Sequence, residues 1–164
     1  MCRPRADTRI RPYEQVLKRP LKSEARRLTA DVTLTIVRAA LAEMVVHAMA
    51  AKPAECCGML IGAGTAVTEA AAARNIAERP TRFLIDPQDH IDAIRRARAR
   101  GLEVLGFYHS HPHSPAVPSE TDVEEASYPN HLYVIVGLQH QTPEIRCFRL
   151  TDGNFLELAF VTVD

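Results

Sequence analysis

The sequence predicts an α/β domain in which a mixed β-sheet is covered by helices. Three observations carry this. Apolar residues recur at helical spacing from Val37 to Ala48. Short apolar runs at Cys56–Ile61 and Leu132–Gly137 have the composition of buried strands. A helix start at Asp86-Pro87 lies between strand-like segments. Helices interspersed with single strands and hairpins are the pattern of this class.

Each element follows from local chemistry. Val32–Ile36 alternates apolar and polar residues, as a short strand does. From Ile36 the pattern turns helical, with Val37, Ala40, Leu41, Met44, Val45 and Ala48 on one face, and Lys52-Pro53 ends it. Cys56–Ile61 reads as a central strand leading through Gly62 and Gly64 into a turn. Ala66–Ala73 is expected to pair with it, and Arg82–Ile85 to form a third strand. Asp86 is a good N-cap, with Pro87 at the first helical position. Ile91, Ile94 and Ala97 are expected to face inward, and Gly101 to stop the helix. Glu103–Tyr108 is a strand, His109–Ser119 a loop rich in His, Pro and Ser, and Glu120–Ser127 a short helix. Leu132–Gly137 is strongly β-forming. Ile145–Leu150 and Phe155–Val161, separated by Asp152-Gly153, are expected to form a closing hairpin.

The chain of 164 residues suits one domain, expected over residues 30–164, where no repeat or long linker interrupts it. Residues 1–29 read as a basic, poorly ordered N-terminal extension, rich in arginine. Over the whole chain 20 basic and 20 acidic residues cancel, which points away from nucleic acid. The apolar-rich segment from Ile36 to Ala51 contains Arg38, Glu43 and His47 and is too short and charged to span a membrane. Cys2, Cys56, Cys57 and Cys147 lack C-x-x-C spacing and form neither a disulfide framework nor a cysteine zinc site. A cytoplasmic, reducing setting is expected.

The chemistry concentrates in the stretch from Gly106 to Asp122. His109 and His111 stand two apart at the end of a strand, so both imidazoles can point to one side. Asp122 follows His111 after a Pro-rich loop, in the first turn of a helix. Two neutral imidazoles and one carboxylate suit one Zn²⁺ ion, and three protein ligands leave a fourth position for water. Such a hydrolytic site needs a base, and Glu55, at the start of the strand after Pro53-Ala54, is the candidate. Periodicity alone does not bring Glu55 to the histidines. Ser119 and Asp122 also fit a helix-capping pattern. His113 would close the open metal position if it were a ligand, and is read as a loop residue.

Together, Glu55, His109-Ser110-His111, Ser119 and Asp122 resemble the JAMM/MPN+ (Mov34/MPN/PAD-like) zinc metalloprotease family, without departure from its pattern. The surroundings, Pro53 to Gly62 and Gly106 to His109, resemble it too. The resemblance implies a single MPN-type, cytidine-deaminase-like domain. It implies zinc on His109, His111 and Asp122, Glu55 as general base and then acid, and Ser119 donating to the oxyanion. The short segment from Asp122 to Leu132 leaves no room for the insertions of the eukaryotic members, so the compact bacterial form is expected. The implied substrate is a ubiquitin-like or small β-grasp sulfur-carrier protein ending in Gly-Gly. Self-association into a homodimer is left open, and no nucleic-acid or membrane partner is expected. Rival readings are a peptidase of short or cell-wall peptides and a non-catalytic scaffold. A zinc deaminase would need H-x-E with P-C-x-x-C, which is absent.

Overall fold

The structure, a computed structural model, describes residues 33–164. The basic segment 1–29 and Val32 lie outside the described residues. In chain order the elements are β1 (Leu34–Val37), α1 (Arg38–Ala51), β2 (Cys57–Ala63), β3 (Ala66–Ala73) and α2 (Pro87–Ala99). There follow β4 (Glu103–His111), α3 (Glu120–Glu125), β5 (Leu132–Gly137), β6 (Glu144–Thr151), β7 (Asn154–Leu158) and β8 (Phe160–Val163).

The strands form one mixed sheet in the order β7-β6-β5-β4-β2-β3-β1-β8. At its centre β2 runs antiparallel to both β3 and β4, while β4 and β5 are parallel. β7 and β8 stand at opposite ends of this order, yet only Ala159 separates them in the chain. One residue spans no more than ~3.6 Å. The sheet therefore curls until its ends meet at that corner.

Side-chain alternation divides the core in two. Leu60, Tyr108, Val134 and Cys147 point to the face covered by α1, where Ala40, Met44 and Ala48 meet them. Met59, Phe107, Ile135 and Phe148 point to the other face, where Ala93 of α2 joins them. His109 and His111 share the parity of Phe107 and so belong to the α2 side.

Four details depart from the expected elements. Residues 82–85 are not a strand, since their ladder contact is the single bridge between Asn75 and Ile85. The buried face of α2 is Ala93 and Ala97, whereas Ile91 is exposed. Ala97 faces inward as expected, and Ile94 is partly buried. β4 continues through His111 because β5 pairs with it to the end, Ser110 with Val136 and His111 with Gly137. The expected strand Phe155–Val161 is two strands, one pairing with β6 and the other with β1. The Asp86 N-cap and Pro87 start of α2 are as expected, and the Asp86 carboxylate accepts from the N–H groups of Gln88 and Asp89.

Gly58 lies in β2 opposite Tyr108, and a Cβ there would collide with the Ala71 carbonyl and the Tyr108 ring. Tyr108 cannot yield freely, because its hydroxyl and His47 Nδ1 are 2.8 Å apart. Gly58→Ala should therefore lower stability by about 1–3 kcal/mol in denaturant unfolding. A variant as stable as the wild type would contradict this packing.

Candidate metal centre

Three side chains converge at the end of β4. Among the described residues, His109, His111 and Asp122 form the one cluster of three potential metal ligands, with their donor atoms all within 4.8 Å of one another. The two Nε2 atoms are 3.0 Å apart. Asp122 Oδ1 lies 3.1 Å from His109 Nε2, and Oδ2 lies 3.3 Å from His111 Nε2. Three donors placed ~2.0–2.1 Å from a tetrahedral zinc ion would stand ~3.3 Å apart. The donor set and its spacing thus fit zinc.

Each candidate ligand is held by the fold. His109 is buried, and the Phe83 ring stacks on it at 4.4 Å between centroids, with 21° between planes. His111 Nδ1 is 2.9 Å from the carbonyl oxygen of Pro115. An Nδ1–H donated there leaves the Nε2 lone pair facing the other two donors. The loop supplying that carbonyl is seated by buried Ala116, whose backbone lies where a Cβ on Gly137 would go. Asp122 stands at the third position of α3, where Ser119 is the N-cap in a capping box. Ser119 N–H and hydroxyl both donate to Asp122 Oδ2 at 2.7 Å, and the hydroxyl accepts from Asp122 N–H at 3.1 Å. Capping and orientation of the carboxylate are one arrangement.

The electrostatics agree with a cation site. Burial lowers the pKa of His109, favouring the neutral imidazole that a metal needs. Burial acts the same way on His111, but its bonds to Asp122 and the Pro115 carbonyl more than reverse that, and its pKa is raised. Burial would raise the pKa of Asp122, yet the hydrogen bonds from the two imidazoles outweigh it and hold the carboxyl well below the usual carboxylate range. With the two imidazoles directed at its oxygens, the carboxylate stays ionised despite its burial.

Glu55 precedes β2, which pairs with β4 in the register Cys57 to His109. Burial pushes its carboxyl from the ordinary 4.5 up to about 7, with His111 opposing the shift and Asp122 adding to it. Its backbone is tied down on both sides. Glu55 N–H donates to the Pro80 carbonyl at 3.0 Å, and the Asn75 amide donates to the Glu55 carbonyl at 2.9 Å. The next residue is clamped to β4, where Cys56 N–H donates to Ser110 Oγ at 2.9 Å and Ser110 N–H to the Cys56 carbonyl at 3.1 Å. A cleft lined by Glu55, His47, Arg74, Asn75, Arg79 and Pro80 opens beside this segment.

All five residues named from the sequence thus belong to one region, whereas His113 is exposed and outside the cluster. Cys56 and Cys57 are buried, and burial raises the pKa of both thiols, Cys57 to about 12. Neither is a ready nucleophile. The supporting residues Ser110, Asn75, Phe83 and Pro115 went unnoticed in the sequence. The one local hint was Ser110, whose parity within His-Ser-His turns it to the opposite face from the ligands.

The sequence profile of the prokaryotic homologs of the JAB domain matches residues 37–151. A desampylase of Haloferax volcanii is 42% identical over 86 residues, covering 51% of this chain and 62% of that protein. A CysO-cysteine peptidase of Mycobacterium tuberculosis is 34% identical over 130 residues, covering 77% of this chain and 89% of that one. The solution structure of a Desulfitobacterium hafniense protein superposes with a TM-score of 0.73 at 30% identity, covering 79% of this chain and 92% of that one. With a profile running through both histidines and Asp122, and relatives at 30% identity or more along most of their length, the chain belongs to the JAMM/MPN+ metallopeptidase family in its compact prokaryotic form.

Proposed function

We propose that the protein is a zinc-dependent peptidase or isopeptidase. It would hydrolyse the amide bond that follows the Gly-Gly tail of a ubiquitin-like or small sulfur-carrier protein. The observation that carries the chemistry is the convergence of His109, His111 and Asp122 with a carboxyl, Glu55, whose pKa is about 7. The substrate class is supported by the relatives named as a desampylase and a CysO-cysteine peptidase.

His109, His111 and Asp122 would hold the metal. When bound, zinc supplies a water acidified toward pKa ~7 and polarises the substrate carbonyl. Glu55 takes a proton from water and passes it to the leaving amine, which its position near neutrality suits in both directions. Ser119 turns its hydroxyl from Asp122 Oδ2 to the carbonyl oxygen as that atom gains negative charge.

The direct test is the intact mass of Gly-Gly-ended carrier proteins bearing C-terminal extensions, before and after incubation with the zinc-loaded protein. Loss of the extension with wild type but not with Glu55→Gln is expected. Carriers left intact while short peptides are cut would overturn the substrate class. Glu55→Gln should retain one zinc and lose activity by ~10²–10⁴-fold. Ser119→Ala should lower kcat by ~10²–10³-fold. His109→Ala and Asp122→Ala should lose the metal, read by metal analysis after dialysis.

Burial of Glu55 also makes stability depend on pH in the metal-free protein. Its folded pKa, about 7, lies above its ordinary 4.5, so the unfolded chain releases this proton first. Its contribution is greatest below 4.5 and is lost as pH rises to about 7. Glu55→Gln does not titrate, so the metal-free variant should gain Tm relative to wild type between pH 5 and pH 8. A Tm difference that stays flat across this range would contradict the burial of Glu55.

A further inference from the structure

Residues 76–84 form a strap beside the metal cluster without being a strand. Its backbone bonds to itself where Ile76 N–H donates to the Leu84 carbonyl at 2.9 Å, and one side chain supplies several further partners. The Asn75 amide donates one N–H to the Arg82 carbonyl and the other to the Glu55 carbonyl, each at 2.9 Å. Its oxygen accepts from the N–H groups of Ala77 and Leu84, also at 2.9 Å each. Both donors face carbonyls and the oxygen faces two N–H groups, so the orientation of this amide is fixed by its neighbours. The hydrogen-bonding capacity of Asn75 is fully used.

The four bonds join two parts of the site. One end is the backbone of Glu55, whose own N–H reaches the strap again at Pro80. The other end brackets Phe83, since Arg82 and Leu84 are its neighbours and its ring lies on His109. A shift of the strap would therefore move the wall over a metal ligand and loosen the segment that carries the base.

We propose that Asn75 is a positioning residue for the reaction, a staple that sets Glu55 and the Phe83 cap on His109 in one register. This rests on the proposed peptidase activity. Asp is nearly isosteric with Asn, and in Asn75→Asp the acceptor to Ala77 and Leu84 remains. The donor group becomes an oxygen facing the carbonyls of Glu55 and Arg82, so Glu55 is released while the ligand set is untouched.

The test uses full-length, zinc-loaded protein and a carrier that the wild type cleaves. Asn75→Asp should keep one zinc per chain and a cooperative unfolding transition. Its kcat should fall by ~10²-fold, as expected for a misplaced catalytic group, with little change in KM, and the acidic limb of the kcat/KM pH profile should move. Wild-type kcat and an unmoved limb in the folded, zinc-loaded variant would overturn the proposal. So would loss of activity only in proportion to loss of zinc or of folded protein. If Asn75→Asp does not fold, Asn75→Ala, which removes the same bonds without placing oxygen against oxygen, is judged by the same criteria. If the wild type cleaves no carrier, the functional reading fails separately. The staple is then read from NMR titration of the Glu55 carboxyl in the zinc-loaded protein, which the variant should shift and which, unshifted, would overturn it.

Discussion

The site depends on the antiparallel pairing of β2 with β4. His109 lies opposite Cys57, and Ser110 exchanges hydrogen bonds with Cys56. This pairing brings residue 55 to the end of the sheet where the histidines project. A slip by one residue would turn His109 and His111 to the α1 face, into the space of Tyr108. Both faces of β4 are buried, and the Tyr108 ring fits only against Gly58 across the ladder, where a Cβ would collide with it, which makes that slip unfavourable. Register, set by core packing, is thus the origin of the chemical arrangement.

From that frame the site is assembled by groups that also serve folding. Ser119 caps α3 and binds the carboxylate it presents. Pro115 closes a loop and fixes an imidazole. Burial acts differently on the acids because their neighbours differ. Asp122 has two imidazoles on its oxygens and stays ionised, whereas Glu55 has only longer-range partners and burial carries it to about 7. Two carboxyls near one another are thereby separated in pKa, as the proposed roles of metal ligand and proton carrier require.

Much of this was legible in the sequence, and the failures have physical causes. The proposed ligands are local in sequence, with strand period and a helix cap pointing them inward, so His109, His111, Ser119 and Asp122 could be named. Glu55 depended on a long-range register and could be placed only through the family pattern. Arg82–Ile85 has strand composition, but Asn75 occupies the backbone groups of Arg82 and Leu84 that a neighbouring strand would use. Helical periodicity offered Ile91 for the inner face of α2, whereas the packed helix buries Ala93 and Ala97, a choice that tertiary packing makes and periodicity does not. The break at Ala159 follows from the curl of the sheet and has no glycine or proline to mark it.

Zinc X-ray absorption of the loaded protein reads whether the ion sits on two imidazoles and one carboxylate and is open to water. A four-coordinate first shell of nitrogen and oxygen at ~2.0–2.1 Å, with the outer-shell scattering of two imidazoles, is expected. A sulfur shell at ~2.3 Å would instead place the metal on a cysteine and rule this site out. So would the scattering of one or three imidazoles, or failure of the full-length protein to retain zinc.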